Sequence, residues 1–94
     1  MSYNIEIPER VAMQIKEHAL YIAKDKSSVA LQWYDDIYNK ISTLSDFPLR
    51  CPLAIEDKHL GFGIRHLITG TSRILFYVDN KTVVIVDFKG GGQS

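Results

Sequence analysis

Ninety-four residues can close one hydrophobic core but not two, so the chain reads as a single domain over residues 1–94, and every functional feature has to share it. Apolar residues at 46% and charged residues at 23% exclude intrinsic disorder. Eleven basic and eleven acidic side chains cancel, so no net field draws the molecule toward nucleic acid. The distribution is uneven, with six Lys/Arg against eight Asp/Glu in residues 1–56 and five against three in residues 57–94, which assigns any anion-binding surface to the C-terminal half. Neither a long apolar run nor a basic stretch followed by an apolar block is visible, so no membrane span or signal peptide is expected and the chain reads as cytoplasmic. Cys51, the single cysteine, has no partner for a disulfide or a thiolate zinc site and reads as a small buried side chain. No metal and no other cofactor is expected.

Tyr3, Ile5 and Ile7 alternate with Asn4 and Glu6, which predicts a short half-buried strand that Pro8 ends. Proline loses no needed hydrogen bond in the first turn of a helix, and Glu9 beside it suits the positive end of the helix dipole. Val11, Ile15, Ala19 and Ile22 then recur at helical spacing as far as about Lys24. Ser27 or Ser28 is expected to cap a second helix, its hydroxyl accepting from an orphan backbone N–H. Ala30, Trp33, Ile37, Ile41 and Leu44 form the apolar stripe of that helix, opposite Asp35, Asp36, Asn39 and Lys40. Two amphipathic helices with so short a link lie antiparallel, as a hairpin.

Pro48 and Pro52 exclude any further helix across residues 47–55. Residues 64–69, 73–78 and 82–88 are rich in Ile, Val, Leu, Phe and Tyr, and read as three strands parted by turn signals at Thr69-Gly70-Thr71 and Asp79-Asn80-Lys81. Connections this short make an antiparallel meander. The last residues, 90–94, carry nothing apolar to bury and are expected to be a flexible tail or to be held by a partner. The fold class is therefore α+β: a short N-terminal strand, a two-helix antiparallel hairpin, and a three-stranded meander packed on the helices.

Residues of one parity share a sheet face. Ile74, Phe76 and Val78 form one apolar row, and Val84, Val86 and Phe88 another. For both rows to face the helices, the turn at Asp79–Lys81 must hold an odd number of residues. That register leaves Arg73, Leu75, Tyr77, Asp87 and Lys89 on the open face. The same parity in the first meander strand buries Ile64 and Ile68 and opens Arg65, Leu67 and Thr69, whereas a strict two-residue Gly70-Thr71 turn would separate Arg65 from Arg73.

Three stretches carry a resemblance to a known family. Ala30, Trp33, Ile37, Ile41 and Leu44, closed by Pro48, resemble the second helix of the RelE/ParE toxin superfamily. Arg50-Cys51-Pro52-Leu53-Ala54-Ile55-Glu56 resembles a loop of its plasmid-stabilisation subgroup, and Ile64-Arg65-His66-Leu67, Gly70 and Ser72-Arg73-Ile74-Leu75-Phe76-Tyr77-Val78 resemble its first two meander strands. The similarity covers essentially the whole chain. It implies the toxin half of a bacterial type II toxin–antitoxin system, neutralised by a cognate antitoxin that wraps a segment over it, as a homodimer or a toxin–antitoxin hetero-oligomer. It also implies one of two targets, since RelE-type members act as mRNA interferases in the ribosomal A site and ParE-type members inhibit DNA gyrase without being enzymes. Fold alone does not choose between them. The alternative is a non-toxic or degenerate interaction module on the same scaffold, pairing through Tyr34, Tyr38 and Phe47.

Metal-free RNA cleavage by an endoribonuclease needs a base for the 2′-hydroxyl, positive charge on the phosphate and an acid for the leaving oxygen. Arginine suits the phosphate because its planar fork binds two oxygens at once. By resemblance, Arg73 matches a strand arginine that in RelE-type members helps hold the scissile phosphate, and Arg65 matches a second family arginine. Either could instead cap the sheet or pair with Asp87 or Glu56. Lys58, His59 and Lys89 are candidates for phosphate contact or proton transfer, with solvated surface residues as the plain alternative. Glu56 becomes a candidate general base if its loop folds over the open face. The candidate catalytic set is Arg65, Arg73, Lys89, His59 and Glu56, and the candidate phosphate-binding set is Lys58, Arg65, Arg73 and Lys89. His66 has the parity of the buried face and reads as a satisfied core histidine; His18, on the first helix, reads as structural. Active RelE-type chains commonly end in a basic tail bearing His or Tyr, where this one offers only Lys89 and Gln93. Neutral charge is a second departure, and together they favour a ParE-like or weakly active binder over an efficient ribonuclease.

Overall fold

The computed structural model describes residues 2–91. Of the expected tail, Gly92, Gln93 and Ser94 lie outside the described residues, while Gly90 and Gly91 pack against His18 and Thr71. Alternation at the N-terminus forms strand β1 (Asn4–Glu6), and the two amphipathic stripes form helices α1 (Glu9–Ala23) and α2 (Ser27–Ser42), which pack together across the link at residues 24–26. Pro8 takes the N-cap of α1 in extended backbone, and its carbonyl accepts from Val11 and Ala12. The serine cap expected for α2 does not form: Lys26 occupies the N-cap, without a side-chain cap bond, and Ser27 is already helical. Two 3₁₀ turns follow, Thr43–Ser45 and Pro48–Arg50, and then a one-turn helix α3 (Asp57–Leu60). A 3₁₀ turn tolerates Pro48 at its start, where the missing N–H would be unbonded anyway.

Strands β2 (Arg65–Thr69), β3 (Ser72–Asp79) and β4 (Thr82–Lys89) form the antiparallel meander, and the sheet order is β1-β4-β3-β2. β1 adds to the far edge parallel to β4, the chain between them running through both long helices, the loop and the other two strands. One face of the sheet carries the main core, in which Val11 and Ile15 of α1 and Ile37 and Ile41 of α2 meet Leu67, Ile74, Phe76, Val83, Ile85 and Phe88. The other face holds a smaller cluster, Ala54, Ile64 and Leu75, flanked by Tyr77 and Val86. Among the described residues, no helix is long and apolar enough to cross a membrane.

The register differs from the expected one, for two reasons. Asp79 pairs with Thr82, so the β3–β4 turn holds two residues, and Asn80 takes the left-handed backbone, φ 60°, that asparagine tolerates. Val83 and Ile85 therefore face the helices in place of Val84 and Val86. Between the pairs Phe76–Ile85 and Leu75–Asp87, Val86 is an extra residue: a β-bulge that reverses the parity and returns Phe88 to the core. The Gly70-Thr71 turn also has two residues, since Thr69 pairs with Ser72. Arg65 and Leu67 consequently share the helix face with Phe76 and Ile74, and His66 and Ile68 share the opposite face with Leu75 and Arg73. Ile68 is exposed, not buried, and Leu67 is buried, not open.

Candidate functional site

The segment between Cys51 and Ile64 decides what the open face looks like, and Arg65 holds its start. Leu53 bridges Arg65 as a single antiparallel pair beyond β2, His66 N–H donates to the Pro52 carbonyl (3.1 Å), and Ala54 N–H donates to the Ile64 carbonyl (2.8 Å). The Arg65 guanidinium donates to the Cys51 carbonyl (2.6 Å) and, at 3.4 Å, to that of Leu49. Asp57 pins the far end, one carboxylate oxygen accepting from the backbone N–H groups of Phe62 and Ile64, both at 2.9 Å. Ala54 is drawn under the sheet against Ile64 and Leu75, and this carries Glu56 over the open face.

There Glu56 meets Arg73 fork to fork. Arg73 Nη2 donates to Oε2 at 2.7 Å and Nη1 to Oε1 at 3.2 Å, with each side chain 28% exposed. Arg73 Nη1 also lies 3.1 Å from His66 Nδ1. Guanidinium has no acceptor, so Nδ1 accepts in this contact and the ring proton sits on Nε2. Lys89 is the cross-strand neighbour of Arg73, and its ammonium lies 3.6 Å from Asp87. Asp87 in turn accepts from Gln14 of α1 (3.2 Å) and lies 3.7 Å from Arg10, which also donates to the Val86 carbonyl at the bulge. The Arg73 guanidinium holds the Glu56 carboxyl down at about 2, helped by a backbone N–H and by the charge of Lys89 against the opposing effect of burial. Glu56 in turn pushes Arg73 up.

Of the candidates, the fold gathers Glu56, Arg73 and Lys89 on one face and adds His66, which the sequence had assigned to the core. Arg65 is not among them. It lies on the opposite face, with donors occupied by loop carbonyls, so the two arginines do not line one hollow. Lys58 and His59 sit exposed on α3 and make no hydrogen bond or ion pair with the cluster. The loop does fold as Glu56 required for a base. The result is a carboxylate bound to arginine and far too weakly basic to take a proton from a hydroxyl near neutral pH. The signal that would have found His66 is the two-residue Gly70-Thr71 turn, which fixes its parity.

The other polar and aromatic candidates have structural partners. His18 packs against Trp33 (ring centroids 4.8 Å apart) and Phe88 (5.4 Å), and burial lowers its pKa. Cys51 is a free, buried thiol pushed up by that burial. Tyr34 and Tyr38 stack at 4.9 Å and pack on the core, with Tyr38 pushed up to about 12 by burial and by its bond to Tyr34, so they form no exposed patch with Phe47. Phe47 is instead 78% exposed, in left-handed backbone. It belongs to a run of exposed apolar side chains, Leu49, Leu53, Ile55, Leu60 and Phe62, along the loop that ends at β2.

Solved structures share this fold. The chromosomal ParDE TA system from P. aeruginosa superposes with a TM-score of 0.76 at 15% identity, over 94% of this chain and 95% of that one. The toxin–antitoxin complex RelBE2 from Mycobacterium tuberculosis superposes with a TM-score of 0.59 at 21% identity, over 95% of this chain and 98% of that one. The fold is that of the RelE/ParE toxin superfamily. No family model matches the sequence, and no curated protein matches it either. Within the RelE/ParE fold, the cluster of Glu56, His66, Arg73 and Lys89 lies on the sheet face away from the helical hairpin, beside the apolar loop.

Proposed function

We propose that this chain is the toxin of a type II toxin–antitoxin pair, neutralised in the cytoplasm by a cognate antitoxin, and that it acts by binding a protein target in the manner of ParE-type gyrase inhibitors. The observation that carries the choice of target class is that Arg65 and Arg73 lie on opposite faces of the sheet. RNA cleavage needs positive charge converging on a phosphate and a group able to take a proton. Here the one arginine on the open face already holds a carboxylate, that carboxylate is a very weak base, and Arg65 is on the other side of the sheet. A net charge of zero adds little electrostatic affinity for RNA. The exposed apolar side chains between Phe47 and Phe62 suit contact with a protein surface.

Controlled expression tests the reading. Induction is expected to arrest growth, co-expression of a small neighbouring reading frame encoding the antitoxin to restore it, and the purified chain to inhibit DNA supercoiling by gyrase in vitro. Normal growth on induction of a folded chain would instead favour a non-toxic module on the same scaffold.

A further inference from the structure

The two arginines are held in different ways. Arg65 is bonded to backbone carbonyls of Leu49 and Cys51, which cannot leave without unravelling the loop. Arg73 is bonded to a side chain that can leave by rotating about its own bonds. Glu56 is 17 residues away in sequence, partly exposed, and sits between two separately anchored points, Ala54 and Asp57. Its departure breaks neither anchor. It would leave Arg73, His66 and Lys89 facing outward, with Asp87 shared between Lys89 and Arg10.

We propose that the Arg73 fork is an exchangeable carboxylate seat, filled by Glu56 in the free chain and taken over by an acidic side chain of a bound protein segment. The seat's geometry is demonstrated by its present occupant: one carboxylate oxygen on each terminal guanidinium nitrogen, at 2.7 and 3.2 Å. Its surroundings select an incoming segment that is both acidic and apolar. Ile68, the cross-strand neighbour of Arg73, is 58% exposed, and Ile55, next to Glu56, is 67% exposed. Beside them runs a groove of about 610 Å³ lined by Leu53, Ala54, Ile55, Asp57, Lys58 and His66. Lys58, Lys89 and Arg73 complement acidic side chains, and the isoleucines complement apolar ones. Glu56 thus acts as an internal competitor: an ion pair this exposed is weak, so exchange costs an incoming carboxylate about fivefold in affinity. Only the choice of a protein as the source of the carboxylate rests on the protein-directed reading; the seat itself does not.

Acetate is the probe. In Glu56→Ala the seat is vacant, and acetate can take the place of the deleted carboxylate. The imidazole signals of His66 are followed by NMR in wild type, E56A and E56A/R73M, with chloride holding ionic strength constant and circular dichroism verifying the fold. Saturable shifts in E56A at about fivefold lower acetate than in wild type, absent in E56A/R73M, are expected. Equal response in wild type and E56A, or a response that survives in E56A/R73M, overturns the seat. A parallel titration with inorganic phosphate that saturates at lower concentration than acetate overturns the assignment to carboxylate. These titrations use purified protein, so a failure here and a failure of the toxicity test are separate results.

Discussion

Replacing Arg65 and Arg73 by methionine, which keeps the length of the stem and removes the donors, should cost unequal amounts of stability. Arg65 makes a charged hydrogen bond of 2.6 Å to the partly buried Cys51 carbonyl, and the contact to Leu49 at 3.4 Å adds little. Losing a bond of that type, and leaving its acceptor short of a donor, costs about 2 kcal/mol. For a domain of this size that lowers Tm by about 8–16 °C. Arg73 donates to a partly exposed carboxylate that water can serve equally well, so Arg73→Met costs below about 1 kcal/mol, at most about 8 °C. Thermal unfolding followed by circular dichroism measures both. The register argument is refuted if Arg73→Met melts lower than Arg65→Met, because that would make Arg73 the structural arginine.

Acid should weaken the fold through Glu56. Its carboxyl sits at about 2 against an ordinary 4.5, so the pair's stabilisation is complete above pH 4.5 and is lost as pH falls toward 2; the difference in Tm between wild type and Glu56→Gln is expected to shrink over that window, and a constant difference would contradict it. His18 acts higher on the scale, because burial lowers its pKa below 6.5, so its contribution is present above pH 6.5 and is lost as pH falls below it. Replacing it by phenylalanine should keep the ring contacts with Trp33 and Phe88 and flatten the stability profile below pH 6.5, as denaturant melts would show. Deleting Val86 removes the extra residue and leaves Asp87 opposite Leu75 and Phe88 opposite Ile74, so Phe88 stays in the core and the loss should fall well short of the about 3–5 kcal/mol of a core Phe→Ala change; a loss of that size in denaturant melts would mean that Val86 is not the extra residue.

The elements were legible where a period runs long enough. Val11, Ile15, Ala19 and Ile22, and then Ala30 through Leu44, could only be helical stripes, and the three β-rich runs could only be a meander. What escaped was parity. Residues 83–86 read Val-Val-Ile-Val, apolar at both parities, so hydrophobicity cannot say which pair faces the helices. The answer lies in a two-residue turn made possible by Asn80, and in a bulge that no composition signals. A separate error, at the two-residue Gly70-Thr71 turn, had put Arg65 and His66 on the wrong faces and had paired the two arginines. Glu56 and Arg73 were each recognised, but their contact joins residues far apart in the chain, and only the docking of Ala54 beneath the sheet brings them together. The helix α3 was invisible because four residues contain no period.

Mapping transcript 5′ ends after brief induction tests the choice of a protein target most directly. Because Arg65 and Arg73 face opposite sides of the sheet and cannot hold one phosphate together, messages should remain full length while plasmid supercoiling falls. New, codon-spaced ends appearing within translated regions, and depending on Arg73, would contradict that account.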